Sequence, residues 1–165
     1  MAVTSSQSAT VELPADDQIL ITREFDAPKE LVYKAFTTPE LVKRWWSARR
    51  GEVTVAEIDL RVGGKWRSVM VTTEGGIEVA FHGEYLEIVP NERIVSTEVY
   101  EGMPDAEDLA NVNTMTLTEQ DGRTTMELLI QAANKEVRDA QIDSGMEAGM
   151  QDAYDLLEEV ANSLR

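Results

Sequence analysis

The 165-residue sequence contains no cysteine. That excludes a disulfide framework, a thiol nucleophile and a thiolate metal site, and it suits a reducing compartment. Histidine occurs once, at His82. One imidazole without thiols does not assemble the several ligands of a zinc site, so neither metal nor cofactor is expected. Basic residues are scarce: 15 Lys and Arg stand against 31 Asp and Glu, for a formal charge of -16. A field of that sign repels phosphate backbones and anionic membranes, which argues against nucleic-acid and membrane partners. No run approaches the roughly 20 apolar residues of a membrane-crossing helix. Residues 1–17 have neither the basic nor the apolar stretch of a secretory signal, so a cytoplasmic location is expected. Their Ser, Thr, Gln and Ala content reads as a flexible tail, followed by a single domain over residues 18–165, of ordinary size for one core.

What is present is a sequence of clear periods. Ile19 and Ile21 alternate with Leu20 and Thr22 and lead to Phe25, as in a strand. Pro28 with Glu30, and then Thr38, Pro39 and Glu40, each carry the marks of a helix start. Two short helices follow, with Leu31, Val32, Ala35 and Phe36 on one apolar face and Leu41, Val42, Trp45 and Trp46 on the next. From Glu52 the period becomes two. Strands turn at Gly63-Gly64, Gly75-Gly76, residues 90–92 and Asp121-Gly122, with an acidic loop over residues 102–110. A bend is expected at Gly83. Ile142, Met146, Met150, Ala153, Leu157, Val160 and Leu164 mark one long helix over residues 134–164. The order predicts an α+β fold: a curved antiparallel sheet of about seven strands, two short helices after the first strand, and a terminal helix lying across the sheet.

Five segments in this order resemble the SRPBCC (START-like) superfamily: residues 21–28, Trp45-Trp46, residues 63–67, residues 83–90 and residues 145–149. Within it they are similar to the branch named after the activator of the heat-shock-protein-90 ATPase. The likeness spans residues 19–164. It implies a helix-grip (START-like, Bet v-like) fold with a hydrophobic cavity between sheet and terminal helix. It implies no single chemistry, since the superfamily holds lipid binders, cyclases and co-chaperone domains. Relatives often carry tryptophan where this chain has Met150, which exchanges a rigid ring for a flexible thioether.

The expected ligand is therefore a small hydrophobic or amphipathic molecule. Met70, Met115, Met126, Met146 and Met150 are candidate walls, because methionine fits irregular apolar shapes; plain core packing is the rival reading. Ser68, His82, Tyr100 and Tyr154 are candidate polar contacts. His82 is read either as a structural hydrogen-bonding group or as a pocket group able to move protons near neutral pH. Glu84, two residues on, can share its face. Trp45 and Trp46 read as helix anchors before they read as stacking platforms, and Asp59 with Arg61 reads as a surface pair. Two alternatives stand beside ligand binding: a co-chaperone-like regulator of a heat-shock-protein ATPase, with a chaperone as partner, and a cyclase or dehydratase acting on a polyketide-like substrate. The chain is expected to act as a monomer or a homodimer.

Overall fold

A computed structural model describes residues 8–165. The chain runs β1 (Thr10–Glu12), β2 (Gln18–Phe25), α1 (Lys29–Thr37), α2 (Pro39–Trp45), β3 (Gly51–Ile58), β4 (Lys65–Thr72), β5 (Glu78–Val89), β6 (Arg93–Tyr100), β7 (Asn111–Gln120), β8 (Arg123–Gln131), α3 (Lys135–Asp143) and α4 (Met146–Asn162). The strands form one antiparallel sheet in the order β1-β2-β8-β7-β6-β5-β4-β3. The sequence period alone predicts about seven strands, and the eighth is β1. It lies in the segment read as a tail, where Val11 pairs with Ile21. The Gln151 side chain holds the Ala9 backbone from both sides, at 2.9 Å and 2.9 Å. Three residues are too few to show a period. The part of that tail over residues 1–7 lies outside the described residues.

Alternation sorts the sheet into two faces. On the inner face Ile19, Ile21, Phe25, Met115, Leu117, Met126 and Ile130 are buried in one core with Leu157, Val160 and Ala161 of α4. The helices α1 and α2 close one end of that core. Trp45 donates from Nε1 to the Ala35 carbonyl at 2.9 Å and stacks edge-on against Phe36. It anchors α2 to α1, as its spacing suggests. Thr38 stands at the N-cap of α2 without making a side-chain capping bond; Pro39 in the first turn marks the start instead.

The expected single helix over residues 134–164 is two. Asn134 caps α3 by accepting from the Val137 amide at 2.9 Å. The break falls at Gly145, whose φ of 83° is left-handed backbone that glycine adopts at little cost. The apolar stripe continues across the break, so its period hides it. The strand β5 shifts register against β6 between Tyr85 and Glu87, two residues beyond Gly83.

Candidate ligand-binding site

The inner face of β5 and β6 becomes polar away from the α4 core. Glu98 and Ser96 share a face with Ile94, because Ile94 pairs with Met115, Ser96 with Asn113 and Glu98 with Asn111. Glu98 lies deep in the protein, yet it keeps partial accessible surface. Its Oε1 accepts from Asn111 Nδ2 at 3.3 Å and from Asn113 Nδ2 at 3.2 Å. Asn111 in turn forms a reciprocal amide pair with Gln141 of α3, at 3.2 Å and 2.9 Å. Burial raises the Glu98 carboxyl above the ordinary carboxylate range, and the two asparagine bonds only partly oppose it. The Glu98 charge also acts on the Tyr154 hydroxyl, which burial already pushes up.

Two polar atoms in this interior are sealed and unpaired among the described residues: Asn113 Oδ1 and the Tyr33 hydroxyl. Burial raises Tyr33 and Tyr85, and the Tyr33 group adds to the rise at Tyr85. Interiors seldom leave such atoms unpaired, because each costs about 1–3 kcal/mol.

The residues singled out from the sequence fall into three places. Met115 and Met126 lie on the inner face; Met126 is fully sealed among core side chains. Tyr154 packs edge-on against Phe25 and Phe36 at 5.9 and 6.2 Å. Met146 and Met150 are half-buried on α4 and pack against the same core. Ser68, buried, and Met70, half-buried, lie on β4 on the inner face, opposite Phe81 and Val79. Tyr100 stands at the rim with 43% of its surface exposed and stacks on Phe81, which meets Trp46 edge-on.

His82 is not among them. It pairs with Val99 and Arg67 on the outer face. Counting back by twos from the inward Ile88 would place it inside. The irregularity after Tyr85 inverts that phase, since Tyr85 and Ile88 both reach the core side. Glu84 shares this outer face but pairs with Lys65 at 3.2 Å, so no His82–Glu84 pair exists.

On the outer face His82 Nδ1 meets Glu101 Oε2 at 2.8 Å and Nε2 meets Glu107 Oε2 at 2.9 Å. Only the imidazolium donates from both nitrogens. Arg67 grips the same Glu101 twice, at 2.9 Å and 2.9 Å. Arg67, His82, Glu101, Asp105, Ala106, Glu107 and Asp108 line an open concavity of about 730 Å³ under the acidic loop. A second, of about 390 Å³, lies on the outer face near Pro14, Leu20 and Leu129.

Burial pulls the His82 pKa down, but the Glu101 and Glu107 carboxylates outweigh it and raise the group above 6.5. The Arg67 hydrogen bond, joined by His82, holds Glu101 down at about 2. The imidazolium therefore ties the loop to the sheet fully below pH 6.5, and the tie is lost as pH rises through the higher folded-state value. The Glu101 contribution persists until pH falls toward about 2. The melting-temperature gap between the wild type and His82→Ala is expected to be larger at pH 6 than at pH 9. A gap that is flat or widens with pH would contradict this bridge.

Sheet, helices and inner face together define a helix-grip domain. The model of the family described as Activator of Hsp90 ATPase homolog 1-like protein matches residues 26–162, and the chain belongs to that family. A solved structure from Rhodobacter sphaeroides is 25% identical, with a TM-score of 0.85, over 94% of this chain and 99% of that one. One from Chromobacterium violaceum is 28% identical, with a TM-score of 0.77, over 89% and 98%. One from Mycobacterium smegmatis is 23% identical, with a TM-score of 0.81, over 92% and 96%, a likeness of fold. None of the curated proteins compared with the chain matches it. No helix among the described residues is long and apolar enough to cross a membrane, and no three His, Cys, Asp or Glu side chains gather as a metal site there.

Glu98, Asn111 and Asn113 escaped the sequence reading. A signal was present: Asn113 is two residues before Met115, in the phase of the apolar face. Charged and amide side chains default to solvent unless register says otherwise.

Proposed function

We propose that the protein binds a small amphipathic molecule between the inner face of the sheet and α4, in a cytoplasmic setting that its lack of cysteine suits. The observation that carries this reading is the polar group set around Glu98 within an otherwise apolar interior. Glu98 is deep in the protein yet keeps accessible surface, and the unpaired Asn113 Oδ1 and Tyr33 hydroxyl are polar groups for which a bound molecule would supply partners. Small-molecule sites combine apolar walls with a few such polar groups. Met146 and Met150 supply adaptable apolar surface on α4, with Ser68, Met70 and Tyr100 toward the rim. Met115, Met126 and Tyr154 back the site from the core. His82 has no part in it, which removes the only imidazole from any interior acid–base chemistry and favours binding over a cyclase or dehydratase.

Native mass spectrometry of the protein purified from its own host tests this. The expected spectrum shows an adduct of a few hundred daltons that leaves when the protein is unfolded by acid. The bare mass alone, from protein that also takes up no apolar dye, would overturn the reading. The family description favours a second reading, a chaperone ATPase as partner. A change in that ATPase's rate on adding the protein would support it.

A further inference from the structure

We infer that the interior site takes a molecule whose polar end donates hydrogen bonds, an amine or an alcohol on an apolar body, and turns carboxylates away. This rests on the interior-binding reading. Both asparagine donors converge on Glu98 Oε1. Among the described residues nothing donates to Oε2, and Asn113 Oδ1 is sealed without a donor as well. Beside Glu98 both unfilled positions are acceptors; the third unpaired group of the interior, the Tyr33 hydroxyl on α1, can accept as well as donate. No cation takes part in setting the Glu98 environment, which burial and the two asparagines govern.

Against the ionised Glu98 a carboxylate head group would set lone pairs against lone pairs, and it would bring a second negative charge into surroundings that already disfavour one. A hydroxyl or an ammonium supplies the missing protons. An ammonium also gains a charge-assisted bond to Glu98, the stronger kind. The net charge of -16 draws cations toward the molecule and repels anions before any contact forms.

Glu98 also behaves as a residue kept for something other than stability. Its raised pKa means that the carboxyl contributes fully below the ordinary carboxylate range and costs stability as pH rises through the folded value. A buried acid with no cation is a local inconsistency of the kind that marks functional sites.

The test uses N-phenyl-1-naphthylamine, an uncharged dye that brightens in apolar surroundings, displaced by octylamine, 1-octanol and octanoate at pH 7. These competitors share a chain length and differ only at the head. Octylamine and 1-octanol are expected to displace the dye at concentrations at least about tenfold lower than octanoate. Octylamine ahead of 1-octanol identifies an ion pair; equal ranking identifies a neutral hydrogen bond. In Glu98→Gln the preference for octylamine over octanoate is expected to shrink about tenfold, with a melting temperature equal to or above that of the wild type. Octanoate competing as well as octylamine would overturn the inference while leaving the interior-binding reading intact. A dye that finds no site would remove both. An unchanged preference in a well-folded Glu98→Gln protein would also overturn the inference.

Discussion

Asp155→Asn combined with Glu158→Gln is expected to lower stability by about 3 kcal/mol, and the melting temperature by about 6–12 °C. The two acids hold one buried cation. The Arg23 guanidinium has no accessible surface; it reaches Asp155 Oδ1 at 2.9 Å and Glu158 Oε1 at 3.4 Å. Its Nε donates to the Glu24 carbonyl at 2.9 Å, and the group lies 4.9 Å over the Phe25 ring. A guanidinium does not shed its proton, so without anions it remains a buried charge. Breaking such a pair from one side costs about 3–5 kcal/mol, and the half-exposed Asp155 places this one at the lower end.

The opposite substitution separates charge from packing. Arg23→Met leaves Asp155 and Glu158 free to turn to water and fills the site with a flexible apolar chain. Its cost is expected to be less than half that of the double substitution, by urea denaturation. The reverse ranking would show that Arg23 holds β2 to α4 by shape, not by charge.

This clamp was half legible. Alternation along β2 puts Arg23 in phase with Ile19, Ile21 and Phe25, so a buried arginine could be read from the period. Its partners could not, because they lie 132 and 135 residues away on α4. The same division runs through the molecule. Strands with one wet and one covered face announce themselves, as β7 and β8 do with Met115, Leu117, Met126 and Ile130. Features that depend on one residue do not. The helix break is carried by Gly145, and one residue of irregularity after Tyr85 decides between the two readings of His82, setting it on the outer surface as a hydrogen-bonding group and not in the pocket.

The site follows that rule as well. Apolar candidates were found because hydrophobic phase is a local property. The polar cluster was missed because it is assembled by register: Glu98 meets Asn111 and Asn113 only after the acidic loop returns the chain beside β6. Each residue alone reads as solvated. A polar residue in an apolar phase on both of two neighbouring strands is the pattern that would have exposed it.

Gly83→Ala is expected to be the most damaging single substitution on β5, costing about 4 kcal/mol or more, beyond the usual range for point changes. A methyl group at position 83 would press into the Thr97 carbonyl and lie 2.6 Å from Trp66 Nε1. Trp66 is the direct cross-strand partner of Gly83, and its indole donates to that same carbonyl at 3.2 Å. The indole therefore lies over the glycine to reach β6. Neither neighbour can yield easily. The carbonyl belongs to β6, which is paired with β7 on its other side, and turning the indole away would abandon its bond and uncover the inner face. Gly145→Ala is the control. Position 145 has left-handed backbone but nothing within 4 Å of an added methyl, so only conformational strain of about 1–2 kcal/mol is expected. Thermal melts of the two variants should place Gly83→Ala far below Gly145→Ala. Equal losses would mean that β5 and β6 have room to part at Gly83, and the close approach would not be what holds the inner face in shape.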